Sequence, residues 1–77
     1  MHGGQLGGEA GRSMRWIADI PGWRFEIERD EAVGFYLHVF EGTRCVRDHL
    51  QDTLDAAMVQ ASEDYGVRRA TWRQISN

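Results

Sequence analysis

The fold is decided by residues 50–66, which read LQDTLDAAMVQASEDYG. Asp52 occupies the expected N-cap of a helix, Asp55 follows three positions later, and Gly66 stands where a left-handed residue ends one. Between these marks, apolar residues recur at steps of three and four and therefore share one side of a 3.6-residue spiral. They are Leu50, Leu54, Ala57, Met58, Ala61 and Tyr65. The stretch predicts one amphipathic helix whose apolar face needs a partner.

Strand-like runs precede this helix. Apolar and polar residues alternate over residues 23–29, which is typical of a half-buried strand. A polar connection ending in Gly34 leads to an aromatic and apolar run over residues 35–40, and a second turn leads to a third run over residues 44–48. Residues 14–20 are either a first strand or an extended lead-in. We therefore expect an α+β fold, in which a three- or four-stranded antiparallel β-meander packs on one amphipathic α-helix.

The chain divides into a tail and one domain. Residues 1–13 hold five of the nine glycines and few apolar side chains, which predicts a flexible Gly-rich tail. Residues 14–77 are expected to form a single domain, because a chain of 77 residues holds one core at most. After Gly66, the apolar spacing predicts a C-terminal segment that folds back as a helical turn or an edge strand, with Trp72 docked on the core.

Composition excludes several classes of function. The formal net charge of -3 gives no overall attraction for nucleic-acid phosphates. The single cysteine, Cys45, cannot form a disulfide within the chain. No stretch approaches the roughly 20 apolar residues that span a bilayer, and no basic segment followed by an apolar one opens the chain. The sequence predicts a cytoplasmic protein that does not associate with membranes.

Few side chains suggest a catalytic or metal-binding site. Cys45, His38 and His49 are natural zinc ligands, but their spacing along the chain lacks the two close pairs of a structural zinc site. Cys45 with a histidine as base and Asp48 to orient it has the residue types of a thiol enzyme, without a local motif behind them. We therefore predict no catalytic residue, no metal, no cofactor and no enzymatic activity.

The best indication of binding is an aromatic strand face. Tyr36, His38 and Phe40 share the side of their strand opposite the side expected to meet the helix. One helix covers only one side of a small sheet, so this second side needs other cover. Three alternatives remain open: burial by Trp16 and Trp72, a homodimer, or a different protein partner.

A second candidate surface is basic. Arg68, Arg69 and Arg73 cluster near the C-terminus, where they could meet phosphates or an acidic partner. They could equally complement the carbonyl end of the predicted helix, which is the favoured interpretation. Nucleic acid is accordingly the less favoured partner.

Two resemblances bear on the fold. The order of a strand, a Gly turn, the Cys45-Val46-x-Asp48 segment, Tyr65-Gly66-Val67 and Trp72 resembles short bacterial α+β proteins of unknown function. The strand pair followed by residues 52–57 is similar to the HicB type of antitoxin domain, whose helix opens with a Thr-x-x-Glu-Ala run. Position 56 is alanine here, and the Pro-Gly-Cys turn of that family is missing.

Together these patterns predict a small non-catalytic domain that binds another protein or a second copy of itself. The interaction residues are expected among Tyr36, His38, Phe40, Arg68, Arg69 and Arg73. The alternative, implied by the second resemblance and by the arginines, is a toxin-neutralising, antitoxin-like protein or a nucleic-acid-linked regulator.

Overall fold

The computed structural model of the protein describes residues 14–76. Along the chain these residues form β1 (Met14–Ile20), β2 (Trp23–Asp30), β3 (Gly34–Glu41), β4 (Arg44–Gln51), α1 (Leu54–Tyr65), a 3-10 turn (Arg69–Thr71) and β5 (Arg73–Ser76). The predicted tail, residues 1–13, lies outside the described residues. Within residues 14–76, no helix is long and apolar enough to cross a membrane.

The five strands form one antiparallel sheet in the order β4-β3-β2-β1-β5. Strands β1 to β4 are a meander in which each strand pairs with the next. Helix α1 then carries the chain from β4, at one edge, to β5, which pairs with β1 at the other edge. The α+β class with one helix is confirmed, but the predicted strand number was wrong, since the described sheet has five strands and not three or four.

Strands β1 and β5 have only weak strand signals in their local sequence. In β1, Trp16 and Ala18 point toward the helix, while Ile17 between them points away and is also buried, at 7% exposure. Apolar residues on both sides hide the alternation by which a strand is recognised. Strand β5 has only four residues and is defined by its pairing with β1, from Met14↔Ser76 to Ile17↔Arg73. Such a short strand depends on its neighbour and not on its own propensity.

Helix α1 begins later than the sequence indicates. Thr53 is the N-cap, and its Oγ1 accepts a hydrogen bond from the Ala56 amide at 3.0 Å. The predicted cap, Asp52, lies one residue too early. Leu50 belongs to β4, where it pairs with Tyr36 and is 49% exposed, because the β3–β4 ladder continues to Gln51. The predicted end is confirmed, since Gly66 adopts the left-handed conformation with φ 75°.

The hydrophobic core lies between α1 and one side of the sheet, which we call the helix-side face. Ala57 and Ala61 of α1 are fully buried, and their small side chains let the helix approach the strands closely. The large residues buried completely in this layer are Phe25, Ile27, Leu37, Val39 and Val67. Trp16 and Trp72 belong to the same cluster, which confirms the predicted docking of Trp72.

Leu37→Ala should destabilise the protein strongly, because Leu37 is fully buried at the centre of the helix-side face. We expect a loss of about 2–5 kcal/mol in the free energy of unfolding measured by urea denaturation. The total for a domain of this size is about 4–12 kcal/mol. Val59→Ala, on the 41% exposed side of α1, is the matched control and should cost less than about 0.5 kcal/mol. Equal losses in the two variants would contradict this description of the core.

Gly34 should tolerate a side chain less well than Gly42. Gly34 has φ 127°, and an added Cβ would lie 2.5 Å from the Gln51 carbonyl oxygen. Gly42 is also left-handed, with φ 63°, but a Cβ there meets open space. We expect Gly42→Ala to cost about 1–2 kcal/mol, and Gly34→Ala to cost at least about 1 kcal/mol more in the same urea assay. A smaller loss for Gly34→Ala would show that β3 and the end of β4 are not in close contact.

Candidate functional site

The sheet has a second face that α1 does not touch, which we call the open face. The helix, Val67 and Trp72 all pack on the helix-side face. The strand register assigns to the open face the side chains of Arg15, Ile17, Asp19, Arg24, Glu26, Glu28, Tyr36, His38, Phe40, Cys45, Asp48, Leu50, Arg73 and Ile75. This face therefore combines an aromatic strip on β3 with charged residues on the other strands.

The aromatic strip is where the sequence places it. Tyr36, His38 and Phe40 lie side by side along β3, and each is partly exposed. The rings of Tyr36 and His38 stack with centroids 5.9 Å apart. Leu50 on β4 lies opposite Tyr36 and widens the apolar area.

The tryptophans do not cover this strip. Trp16 is buried in the helix-side cluster, and Trp72 packs against that cluster from the same side. The alternative in which Trp16 and Trp72 shelter the aromatic strip is therefore wrong. The sequence pattern does not fix the face on which β1 and the C-terminal segment present their tryptophan rings, and the strand register does.

Three polar side chains meet on the β3–β4 half of the open face. His38 Nδ1 lies 2.6 Å from Asp48 Oδ1, and the Cys45 thiol donates to the same carboxylate oxygen at 3.4 Å. The other ring nitrogen of His38 lies 3.7 Å from Glu28 Oε1. We call His38, Cys45 and Asp48 the open-face cluster. The sequence offers these residue types as candidates for a thiol enzyme or a zinc site, but their spacing along the chain does not show that the three are neighbours.

A β-bulge creates this cluster. Cys45 and Asp48 are three residues apart, so in a regular strand they would point to opposite faces. The register of β4 against β3 shifts by one residue between Val39 and Phe40, which leaves Val46 as an extra residue packed on the core. Cys45 consequently faces the same side as Asp48. Bulges re-aim side chains in this way and are frequent at functional sites.

The electrostatics of the cluster keep the carboxylate charged and the thiol neutral. The hydrogen bond from His38, followed by that from Cys45, lowers the pKa of Asp48 below its ordinary value. Loss of hydration, with the hydrogen bond to Asp48 and the charge of that carboxylate, raises the pKa of Cys45. A nucleophilic cysteine requires the opposite shift.

The geometry also lacks the order of a thiol catalytic triad. In such a triad the base bonds to the nucleophile and the carboxylate orients the base from its far side. Here Asp48 is the shared hydrogen-bond partner of both Cys45 and His38. His49, the other histidine considered as a base, pairs with Leu37 on the helix-side face, and its Nε2 is buried. The arrangement is better suited to holding a ligand than to attacking a substrate.

The β1–β2–β5 half of the open face is covered by paired charges. Arg15 bonds to Glu26 at 3.0 Å, and Asp19 accepts from Arg24 at 2.9 Å and from Arg73 at 3.3 Å. These hydrogen bonds lower the pKa of Asp19, with the one from Arg24 as the largest cause. The charged side chains thus surround Ile17, the buried apolar residue of this half.

The C-terminal arginines do not form one patch. Arg73 is on β5 and bonds to Asp19 on the open face, while Arg69 pairs with Asp55 in the first turn of α1. Arg68 is exposed just before the 3-10 turn. Arg69 and Arg73 thus bond to carboxylates and not to the carbonyl end of α1, whose last turn contains no basic residue.

The fold and its faces define a small α+β domain with a five-stranded antiparallel sheet, one covered face and one open face. No family model matches the chain, and comparisons with curated proteins and with solved structures return no significant match. The open face is therefore the feature of the molecule that bears most directly on function.

Cys45 should react slowly with a thiol-alkylating reagent at neutral pH, because its raised pKa keeps it protonated. The labelling rate should be lower in the folded protein than in urea, and it should rise with pH until the thiol ionises. Asp48→Asn should accelerate labelling at pH 7, since it removes the charge that opposes the thiolate. Asp52→Asn, an exposed acid outside the cluster, is the control. Faster labelling of the folded than of the unfolded wild type would contradict the assignment.

Proposed function

We propose that the protein functions by self-association, and that two copies bind face to face through their open faces. The observation that carries the proposal is the aromatic strip of Tyr36 and Phe40, continued by Leu50 at 49% exposure, on a sheet face that the described residues leave uncovered. Apolar surface concentrated on one flat face is typical of a binding surface. The role proposed is non-catalytic.

The size of the open face supports a second copy as the partner. Strands β1 to β4, of seven or eight residues at about 3.3 Å each and spaced about 4.8 Å apart, give with the four-residue β5 a face of about 550 Å². Two such faces in contact would bury about 1,100 Å² in total, which exceeds the roughly 1,000 Å² expected of a biological interface. Two sheets packed in this way lie about 10 Å apart with their strands nearly aligned.

The arginines of the open face all lie on one half of it. The β1–β2–β5 half carries three arginines and the carboxylates of Asp19, Glu26 and Glu28, so its formal charges balance. The β3–β4 half holds Asp48, which pairs with His38 and with no arginine of the described residues. A two-fold axis parallel to the strands places the arginine-bearing half of one copy over the half of the other that holds Asp48. A contact between an arginine and Asp48 would orient the dimer.

Edge-to-edge pairing is a poorer alternative. Strand β4 is the longer free edge. When two copies of β4 pair about a two-fold axis, the residue on that axis lies opposite its own copy. A pair centred on Arg47 or on Asp48 therefore places like charges opposite each other, which is destabilising. The other edge, β5, has only four residues. Association through the open face avoids both problems.

Sedimentation equilibrium of the full chain, with a reducing agent to exclude a disulfide through Cys45, tests the proposal. We expect a concentration-dependent monomer–dimer equilibrium in the micromolar range. Replacing Tyr36 and Phe40 together by serine should weaken the association at least tenfold. Val33→Ser, in the β2–β3 turn at 46% exposure, removes a comparable apolar side chain away from the centre of the face and should leave it unchanged.

Two results would contradict the proposed homodimer. One is a wild-type chain that remains monomeric at millimolar concentration. The other is a serine pair that dimerises like the wild type while its circular dichroism shows an unchanged fold. A loss of association in the serine pair and in Val33→Ser alike would place the contact elsewhere.

The second candidate, an antitoxin-like or nucleic-acid-linked regulator, is supported by the arginines near the C-terminus. Its support is weaker, because Asp55 and Asp19 already occupy Arg69 and Arg73. Titration with duplex DNA and with RNA at two salt concentrations distinguishes it from self-association. Salt-dependent binding that is lost when Arg68, Arg69 and Arg73 are replaced by glutamine would favour this candidate.

A further inference from the structure

The open-face cluster presents a set of metal-ligating atoms. A ring nitrogen of His38, the sulfur of Cys45 and a carboxylate oxygen of Asp48 all lie within 4.8 Å of one another. Imidazole, thiolate and carboxylate are the three side-chain groups that bind zinc in proteins. We propose that these three residues bind one zinc ion on the open face. This inference goes beyond the proposed self-association, because each chain holds all three ligands by itself.

The distances suit a tetrahedral ion after a small adjustment. Zinc bonds of about 2.0 Å to nitrogen and oxygen and about 2.3 Å to sulfur place neighbouring ligand atoms roughly 3.3–3.5 Å apart. The Cys45 sulfur and Asp48 Oδ1 are already 3.4 Å apart. His38 Nδ1 and the same oxygen, now joined by a hydrogen bond of 2.6 Å, must separate by less than about 1 Å. The carboxylate of Asp48 is 61% exposed and has room for that movement.

The surroundings of His38 favour coordination through Nδ1. That nitrogen points to Asp48, whereas Nε2 points toward Glu28 Oε1 at 3.7 Å. Metal-ligating histidines almost always donate their other N–H to a carboxylate or carbonyl, which fixes the tautomer and the orientation of the ring. Glu28 is placed for this positioning role, and the stacked ring of Tyr36 restricts the imidazole further.

The bulge in β4 is the second observation that favours the site. The His38–Asp48 pair needs only the regular register, since these two residues face each other across β3 and β4. The extra residue, Val46, is what brings the thiol of Cys45 to the same face as the pair. The backbone irregularity therefore completes the set of three ligands.

The charges of the site balance those of the metal. Zinc binding replaces the thiol proton of Cys45, which leaves to solvent, so that one thiolate, one carboxylate and one neutral imidazole surround a doubly charged cation. Three protein ligands leave the fourth position of a tetrahedral ion open. Because the cluster is on the open face, that position is accessible to water or to a group supplied by a bound partner.

Cobalt(II) titration of the full, reduced chain tests the proposal, since cobalt substitutes for zinc and has visible absorption. We expect one cobalt per chain, with the thiolate-to-cobalt charge-transfer band and the d–d bands of a four-coordinate ion, and displacement by zinc. Cys45→Ser should abolish the charge-transfer band. His38→Gln and Asp48→Asn should each weaken binding at least tenfold, and Glu28→Gln should weaken it about 10- to 100-fold by loosening His38.

Asp52→Asn, an exposed acid outside the cluster, is the matched control and should bind cobalt like the wild type. Circular dichroism checks that every variant folds, which the exposed or half-buried positions of the replaced side chains allow. The proposal is overturned by the absence of a charge-transfer band at millimolar cobalt, by two chains per cobalt, or by His38→Gln binding as well as the wild type. The stoichiometry and the band are properties of one chain, so these outcomes are independent of whether the protein dimerises.

Discussion

The contact between α1 and the sheet is the constraint on which the rest of the structure depends. A helix of 12 residues and a small sheet are each marginal alone in water, so each needs the apolar surface of the other. The small side chains of Ala57 and Ala61 let the helix lie close to the strands. Larger aromatic rings pack beside them, such as those of Tyr65 and Phe25, whose centroids are 5.2 Å apart. Every fully buried large side chain adds about 1.5–3 kcal/mol to this layer. With one helix available, one face of the sheet is stabilised and the described residues leave the other uncovered.

The helix and the central hairpin were predictable because their signals are local. A 3.6-residue apolar period ending in Gly66, and the alternation from Trp23 to Ile27, each fit within a single element. The choice of helix face was also predictable, because mixed steps of three and four place Leu54, Ala57 and Ala61 on one side of a helix and do not fit the two-residue period of a strand. Leu50 fits the same period by coincidence, and there the ladder to Tyr36 overrides it.

The candidate site was less predictable because its geometry is not local. Cys45, Asp48 and His38 are neighbours only if the β3–β4 register is known together with the position of its bulge. Alternation along β4 places Cys45 on the face opposite Asp48, so the spacing offers the residue types of a site without showing that the side chains meet. The pairing of the C-terminal arginines was equally hidden, since Arg73 reaches Asp19 only through the β1–β5 pairing. A single inserted residue in a strand changes the chemistry of a face without changing the hydrophobic pattern.

The proposed dimer and the proposed metal site are linked by the cost of burying charge. Asp48 is 61% exposed and solvated in the single chain, so its pairing with His38 adds little to stability there. Covering the open face with a second copy would remove that solvent, and an incompletely paired buried charge costs several kcal/mol. Two arrangements satisfy the carboxylate: an arginine from the β1–β2–β5 half of the partner copy, or a cation bound within the chain. Zinc with the Asp48 carboxylate and the Cys45 thiolate forms a site of zero net charge, whereas the metal-free cluster keeps the charge of Asp48. The metal-bound face is therefore the less costly one to bury, and ion binding and self-association should favour one another.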